Sequence, residues 1–163
     1  DDGRIRAYGL VTGHAAGRLA VRFPDAAPTY DARRGRYFGC VDRIEDQVKT
    51  ADLAKLYVQL PYAVTGLEIR MAPRAAAPGD TITLDGRVVA ADGAEADQFH
   101  VIHAALTDPL GRCPPWQRAN LPAMQGRFQW RIPLALNAPA GRWRLTLRDA
   151  ATGIRRTASI RVG

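Results

Sequence analysis

Apolar and polar residues alternate in short runs along the last hundred residues, and alternation with a period of two is typical of β-strands. Gly, Pro and Asp clusters separate these runs, as turns between antiparallel strands require. About seven strands in a hundred residues predict an immunoglobulin-like or fibronectin-like β-sandwich. The strand-like runs are 66–71, 81–89, 99–107, 126–133, 141–148 and 154–162.

The first sixty residues carry the same pattern in a smaller unit. Strands are predicted at 4–11, 18–23, 29–32, 36–41 and 53–60, with turns at 12–14, 23–25 and 33–35 and a short turn of helix within 42–54. The proline at the end of the last strand favours a boundary at 60–64. We therefore predict an all-β chain with a small N-terminal β unit, 1–62, and an immunoglobulin-like sandwich, 63–163. We expect that the first unit either packs against its neighbour or is the remnant of a larger sandwich that continues upstream of Asp1.

The net charge of +7 is carried almost entirely by arginine, since the only lysines are Lys49 and Lys55. With abundant Ala and Gly, this composition is typical of a GC-rich bacterial genome. The arginines are scattered and lack interleaved aromatics, so a nucleic-acid partner is not predicted. The densest strand-borne group is Arg142, Arg144 and Arg148, which share one face and form a candidate contact stripe. No apolar run is long enough for a membrane span.

Catalytic and metal-binding arrangements are not predicted. The chain has one serine, Ser159, and no nucleophile elbow or phosphate-binding loop. His100 and His103 point to opposite faces of a strand, so they cannot hold one metal together. Most carboxylates occupy turns, and the best oxygen cluster for calcium is Asp92, Glu95 and Asp97. We predict no enzyme, no cofactor and no metal.

Two cysteines, Cys40 and Cys113, lie in different halves of the chain. Their spacing does not fit a metal site. Three alternatives stay open: a Cys40–Cys113 disulfide, two free thiols, or a bond to another part of a parent chain.

Among the aromatic residues, Trp130 and Trp143 alternate with apolar neighbours and are predicted to be interior. Trp116 follows two prolines and is the best candidate for a ligand or partner contact, with Arg118 and Asn120 as polar neighbours. The alternative is that Trp116 plugs the end of the sandwich.

The run 30–39, Tyr-Asp-Ala-Arg-Arg-Gly-Arg-Tyr-Phe-Gly, and the later Leu60-Pro61-Tyr62 resemble the closing segment of the C-terminal β-sandwich of large bacterial glycoside-hydrolase-like (β-galactosidase-related) exported proteins. The second half resembles the immunoglobulin-like tail of those proteins. Segments 78–80, 100–101, 107–111, 116–121, 132–137, 139–143 and 148–153 carry that similarity. Cys113 and Pro114 depart from it. In such parents the catalytic carboxylates belong to an upstream barrel, so the resemblance implies an accessory module.

Together these observations predict a non-catalytic structural or interaction module from the C-terminal part of a larger exported protein. Its location would be extracellular, periplasmic or at the cell surface, and its partner would be the upstream domain or another protein subunit. One alternative is a carbohydrate-binding accessory module that contacts polysaccharide through Trp116. Another is a subunit of a self-assembling surface layer or fibre, recruited through an unpaired β edge.

Overall fold

The computed structural model describes residues 4–11, 16–49, 52, 54–94 and 96–163. The chain is all-β, as predicted, and it divides into two compact units. The first comprises Asp1–Val64 with Ala151–Gly153, and the second comprises Thr65–Ala150 with Ile154–Gly163.

The first unit contains one antiparallel sheet of four strands, in the order β1-β4-β2-β3. Its apolar core is formed by Phe23, Ile44 and Tyr57, with half-buried Tyr8 and Phe38 packed against it. The strands are β1 (Arg6–Val11), β2 (Gly17–Asp31), β3 (Arg36–Val48) and β4 (Ala54–Gln59).

Two local predictions in this unit are wrong. The predicted turn at 23–25 lies inside β2, where the register shifts between Arg22 and Ala27. Pro24 lacks an N–H for the ladder, and a bulge accommodates that loss without ending the strand. The predicted helical turn in 42–54 is largely the second half of β3, because Ile44 and Asp46 alternate towards the interior with the strand period. The predicted turn at 12–14 lies outside the described residues.

A tight turn joins β2 to β3. The Asp31 carboxylate accepts the backbone N–H groups of Arg33 and Arg34 at 3.0 Å each. Gly35 then takes a φ of +69°, which a side chain would disfavour. Next to the turn, the Tyr30 hydroxyl accepts the N–H of Val64 at 2.7 Å and donates to its carbonyl at 3.3 Å. This buried tyrosine fixes Val64, at the end of the main segment of the first unit, to β2.

The second unit is a sandwich of two sheets. One has three strands in the order β10-β7-β5, and the other has five in the order β6-β12-β11-β8-β9. The strands are β5 (Val64–Ala72), β6 (Ala75–Ala76), β7 (Thr81–Ala90), β8 (His100–Thr107), β9 (Arg118–Ala123), β10 (Arg127–Pro133), β11 (Gly141–Asp149) and β12 (Arg155–Val162). Single 3-10 turns occupy Ala91–Gly93 and Pro115–Gln117.

The core of the sandwich comes from alternate positions of both sheets. Ile82, Leu84 and Ile132 are fully buried on the three-stranded sheet. The five-stranded sheet contributes Ile102, Leu106, Trp143, Leu145 and Leu147. An apolar layer between two sheets, antiparallel except for the short β6–β12 pairing, with polar residues outside, is the packing of an immunoglobulin-like sandwich.

The structure differs from the prediction at β9 and at Trp130. The predicted strands do not include 118–123, but β9 pairs with β8 along its whole length, from Ala123 opposite His100 to Arg118 opposite Ala105. It is an edge strand, which tolerates Pro122. Trp143 is interior as predicted, whereas Trp130 is only half-buried.

Gly86 on β7 makes room for an aromatic ring. It lies opposite Phe128 on β10, and a Cβ atom at position 86 would overlap the Phe128 ring. Gly66, on neighbouring β5, has open space where its Cβ would be.

Gly86→Ala is therefore expected to lower the free energy of unfolding by about 1–3 kcal/mol through overpacking. Gly66→Ala is the matched control, for which we expect a change of about 0.5 kcal/mol or less. Urea unfolding followed by tryptophan fluorescence measures both. Equal effects of the two substitutions would contradict the assigned ring contact.

Tyr30→Phe is expected to destabilise the chain by about 1–3 kcal/mol, because the Val64 N–H loses its buried acceptor. Tyr37, which stacks on Tyr30 with ring centroids 4.8 Å apart and is half-exposed, provides the control. We expect Tyr37→Phe to leave the urea midpoint nearly unchanged, and an equal loss in both variants would argue against the Tyr30 hydrogen bonds.

Candidate functional site

A groove of about 490 Å³ lies in the second unit. Three segments build it: the turn after β8, the 3-10 turn before β9, and the loop between β10 and β11. Its lining includes Asp108, Cys113, Trp116, Gln117, Asn137 and Pro139.

Asp108 holds the first segment in shape. Its carboxylate accepts the N–H groups of Leu110 and Arg112 at 2.8 Å each and the Arg112 Nε–H at 2.7 Å. Burial by itself would raise the pKa of Asp108, but these hydrogen bonds outweigh it and hold the pKa below its usual value. A carboxylate saturated in this way is a turn-former and a poor proton acceptor.

Trp143 fixes the third segment to the sandwich core. Its ring is buried in the sandwich core, and its Nε1–H donates to the Pro139 carbonyl at 2.9 Å. The same loop is closed by the hydrogen bond from Ala138 N–H to the Ala135 carbonyl at 2.9 Å. The groove wall is therefore anchored to the core and does not depend on a ligand for its shape.

Trp116 stands on the second segment with 73% of its surface exposed. Pro114 and Pro115 restrict the backbone before it, and the Gln117 N–H closes the turn onto the Pro114 carbonyl at 2.9 Å. The alternative that Trp116 plugs the end of the sandwich is wrong, because its indole faces solvent. Because the turn is rigid, little conformational entropy would be lost when Trp116 contacts a ligand or partner.

Two exposed leucines lie on the other segments that build the groove, although only Trp116 of the three lines it. Leu110, between the lining residues Asp108 and Arg112 in the chain, is 69% exposed, and Leu136, between Ala135 and Asn137, is 88% exposed. We call Leu110, Trp116 and Leu136, one on each segment, the apolar rim. Neither leucine was predicted as a contact residue, because turn residues in a sequence carry no signal of which side chains stay exposed.

Gln117 is another lining residue that the sequence did not reveal. It is 5% exposed, and its Oε1 is buried and accepts no hydrogen bond from any residue that the structure describes. A buried amide oxygen without a donor is unfavourable.

The predicted polar neighbours of Trp116 do not line the groove. Arg118 is exposed, and its Nε lies 3.4 Å from the Cys113 Sγ. Asn120 lies 3.0 Å from His103, measured between Oδ1 and Nδ1 across β8 and β9. Both belong to the outward face of the five-stranded sheet.

Arg142, Arg144 and Arg148 also lie on that outward face. They alternate along β11 with the buried core residues, with Arg142 and Arg144 exposed and Arg148 half-buried. A contact role for these arginines stays a prediction.

Both cysteines are free thiols in the structure, Cys40 exposed and Cys113 partly buried. The candidate disulfide between them stays a prediction, as do its two alternatives. Cys113 contributes its side chain to the groove wall.

Two buried charge clusters have the composition of catalytic groups. In the second unit His100 Nδ1 lies 3.1 Å from Asp149 Oδ1, and both side chains are fully buried. In the first unit Asp46 accepts Lys55 Nζ at 2.8 Å and the Tyr57 hydroxyl at 2.9 Å. Hydrogen-bonded partners inside the core make both clusters structural.

The calcium candidate is not assembled by the described residues. Asp92 and Asp97 are described, whereas Glu95 lies outside the described part of the chain. No group of three or more His, Cys, Asp and Glu side chains with metal-binding geometry occurs among the residues that the structure covers. No helix in the described ranges is long and apolar enough to cross a membrane.

Comparisons with known proteins show what fold the chain resembles but show no family for it. No protein-family model matches this chain, and no curated protein matches it. Among solved structures it is similar to trypsin-activated α2-macroglobulin from Escherichia coli, with 15% identity and a TM-score of 0.53 over 97% of this chain and 13% of that chain. Salmonella α2-macroglobulin reacted with methylamine gives 17% identity and a TM-score of 0.48 over 98% of this chain and 12% of that chain.

A Bacteroides uniformis β-glucuronidase is also similar, with 13% identity and a TM-score of 0.38 over 95% of this chain and 26% of that chain. At these identities the likeness concerns the fold alone, and only the first of the three TM-scores exceeds one half. The chain spans about an eighth of the macroglobulin chains that it matches. The resemblance to glycoside-hydrolase tails stays a prediction.

The Asp46 cluster predicts a pH dependence of stability. Burial by itself would raise the pKa of Asp46, but hydrogen bonds from Lys55, the Gln47 N–H and Tyr57 outweigh it and lower the pKa. A carboxyl whose pKa is lower when folded stabilises the chain above its unfolded pKa of about 4, and this contribution is lost as the pH falls through the folded value. Wild-type stability should therefore fall steeply below about pH 4.

Asp46→Asn should flatten that fall between about pH 4 and pH 2, while lowering stability at pH 7 because Lys55 loses its buried partner. Urea midpoints at pH 7, 4 and 3 measure both effects. Asp42→Asn, at an exposed position on the same strand, is the matched control. If the Asp46 and Asp42 variants followed the same pH profile, the cluster would not carry the acid sensitivity.

Proposed function

We propose that this chain is a non-catalytic interaction module of a larger exported bacterial protein, and that it contacts a protein partner through the groove of its second unit. The apolar rim supports this proposal. Trp116 lines the groove with 73% of its surface exposed, and Leu110 and Leu136 are exposed on the two other segments that build the groove.

An exposed apolar cluster of this kind has the features of an interface hot spot. Aromatic anchors beside pockets dominate binding energy, and an indole is the side chain most enriched among them. Complete burial of a leucine side chain contributes about 1.5–3 kcal/mol. The anchored walls add to this, because a rigid surface loses little entropy on binding.

The partner proposed is the upstream domain of the parent protein or another protein subunit. The resemblance of segments 30–39 and 132–143 to the tail of glycoside-hydrolase-like proteins supports this assignment and an extracellular, periplasmic or cell-surface location. The saturated charge clusters support a module whose work is contact and not catalysis.

A carbohydrate-binding module is the second candidate, favoured by a specific feature of the groove. An exposed indole can stack on a sugar ring, and Asn137 lines the same groove with a polar side chain. A third candidate, self-assembly, is favoured by β3, a thirteen-residue strand at the edge of its sheet.

Trp116→Ala is expected to weaken association with the remainder of the parent protein at least about tenfold, since a hot-spot side chain contributes about 2 kcal/mol. Isothermal titration of this chain against that remainder measures the loss. The melting temperature should not change, because the side chain is exposed.

Met124→Ala is the matched control, since Met124 is 65% exposed and does not line the groove. Equal binding by the Trp116 and Met124 variants would contradict the proposal. A shift of tryptophan emission with neutral oligosaccharides, abolished by Trp116→Ala, would favour the carbohydrate candidate. Concentration-dependent assembly of the isolated chain would favour the third.

A further inference from the structure

The outward face of the five-stranded sheet carries a concentration of arginine. β11, β12 and β9 place their outward positions on it, and we call the six arginines there the arginine face: Arg118, Arg142, Arg144, Arg148, Arg155 and Arg161. All are exposed except Arg148, which is half-buried.

Strand pairing sets these charges opposite one another. Arg142 is the direct cross-strand partner of Arg161, and Arg148 is that of Arg155. Directly opposed side chains lie about 5 Å apart at Cβ, and like charges there are destabilising. The two pairs are six residues apart along β11, a distance of about 20 Å.

The strands of this sheet supply no exposed negative charge to offset these arginines. Their single acidic residue is Asp149, which is fully buried against His100. By contrast, on the three-stranded sheet Arg87 pairs with Glu68 at 2.7 Å and Asp85 accepts a hydrogen bond from Gln129. The excess of arginine over acidic residues at outward strand positions is therefore specific to one face and does not follow from the overall composition alone.

The surface chemistry limits what this face can bind. Single-stranded nucleic acid is held by aromatic stacking as well as charge, and the outward positions of these strands carry no Phe, Tyr or Trp side chain. A five-stranded sheet twists by about 20–25° between neighbouring strands, so a planar membrane meets only part of the face at once. A flexible polyanion can follow the twist from one arginine pair to the other.

Hydroxyl groups lie between the arginines. Thr146, Thr157 and Ser159 occupy outward positions of β11 and β12, and Arg142 Nε–H donates to Ser159 Oγ at 3.0 Å. Arginine guanidinium groups bind carboxylates through paired hydrogen bonds, and the hydroxyl groups can exchange hydrogen bonds with sugar hydroxyls. Together these groups suit an acidic glycan.

We propose that the arginine face binds an acidic polysaccharide, a carboxylate- or sulfate-bearing chain that lies across β11 and β12 between the two opposed arginine pairs. This binding rests on the sheet face and not on the groove, so either assignment can fail without the other.

Alginate, a polyuronate, is the probe for this proposal. At low ionic strength the full chain should bind alginate, and Arg142→Gln/Arg161→Gln should reduce the affinity by about tenfold. Binding should weaken steeply with added salt, because exposed charges are screened. The melting temperature should stay the same or rise, because a like-charge pair is removed.

Arg70→Gln/Arg131→Gln is the matched control, with the same change of net charge at exposed positions on the three-stranded sheet. We expect it to change alginate affinity by about twofold or less. Equal losses in the two double variants would show a net-charge effect and overturn the proposal, as would the absence of alginate binding. Tighter binding to phosphatidylglycerol vesicles or duplex DNA, dependent on Arg142 and Arg161, would assign the face to those partners instead.

Discussion

Strand β11 sends alternate side chains to opposite faces of its sheet, and both candidate surfaces depend on that alternation. Trp143, Leu145 and Leu147 point inward and are buried, while Arg142 and Arg144 point outward. Because the period of a strand is two, a slip of one residue would place arginines in the core and the indole in solvent. The packing of the sandwich therefore fixes which residues are available for contact.

The same strand connects the core to the groove. The Trp143 indole is buried as an apolar group, but its N–H needs an acceptor and finds it in the Pro139 carbonyl. That bond holds the loop that carries Leu136 and Asn137. Asp108 fixes the turn after β8 in a similar way, through three hydrogen bonds. A preformed surface thus follows from the ordinary requirement that buried polar groups be satisfied.

Much of the second unit could be predicted from sequence because its strands are bounded by strong turn residues. The predicted runs 81–89 and 141–148 differ by one residue from β7 and β11. β9 was missed because Pro122 and Asn120 are unfavourable in strands, and only its edge position makes them acceptable. In the first unit, a bulge at Pro24 replaced a predicted turn, since long-range pairing outweighed the local signal.

The site was predictable only in part. The exposed position of Trp116 follows from the two prolines before it, so sequence reasoning could find it. The roles of Gln117 and the apolar rim depend on three segments that are distant in the chain, and no local pattern marks them. The arginine face was visible on β11 alone, because the pairing of Arg142 with Arg161 is a property of the sheet register.

If the groove is a protein contact surface, amide hydrogen exchange should reveal the contact. Exchange would be compared, peptide by peptide, between this chain alone and the same chain within the larger protein proposed as its parent. We expect slower exchange in 108–117 and 134–139 within that protein, with little change in the β3 edge strand. Unchanged exchange in both segments would contradict a protein contact at the groove.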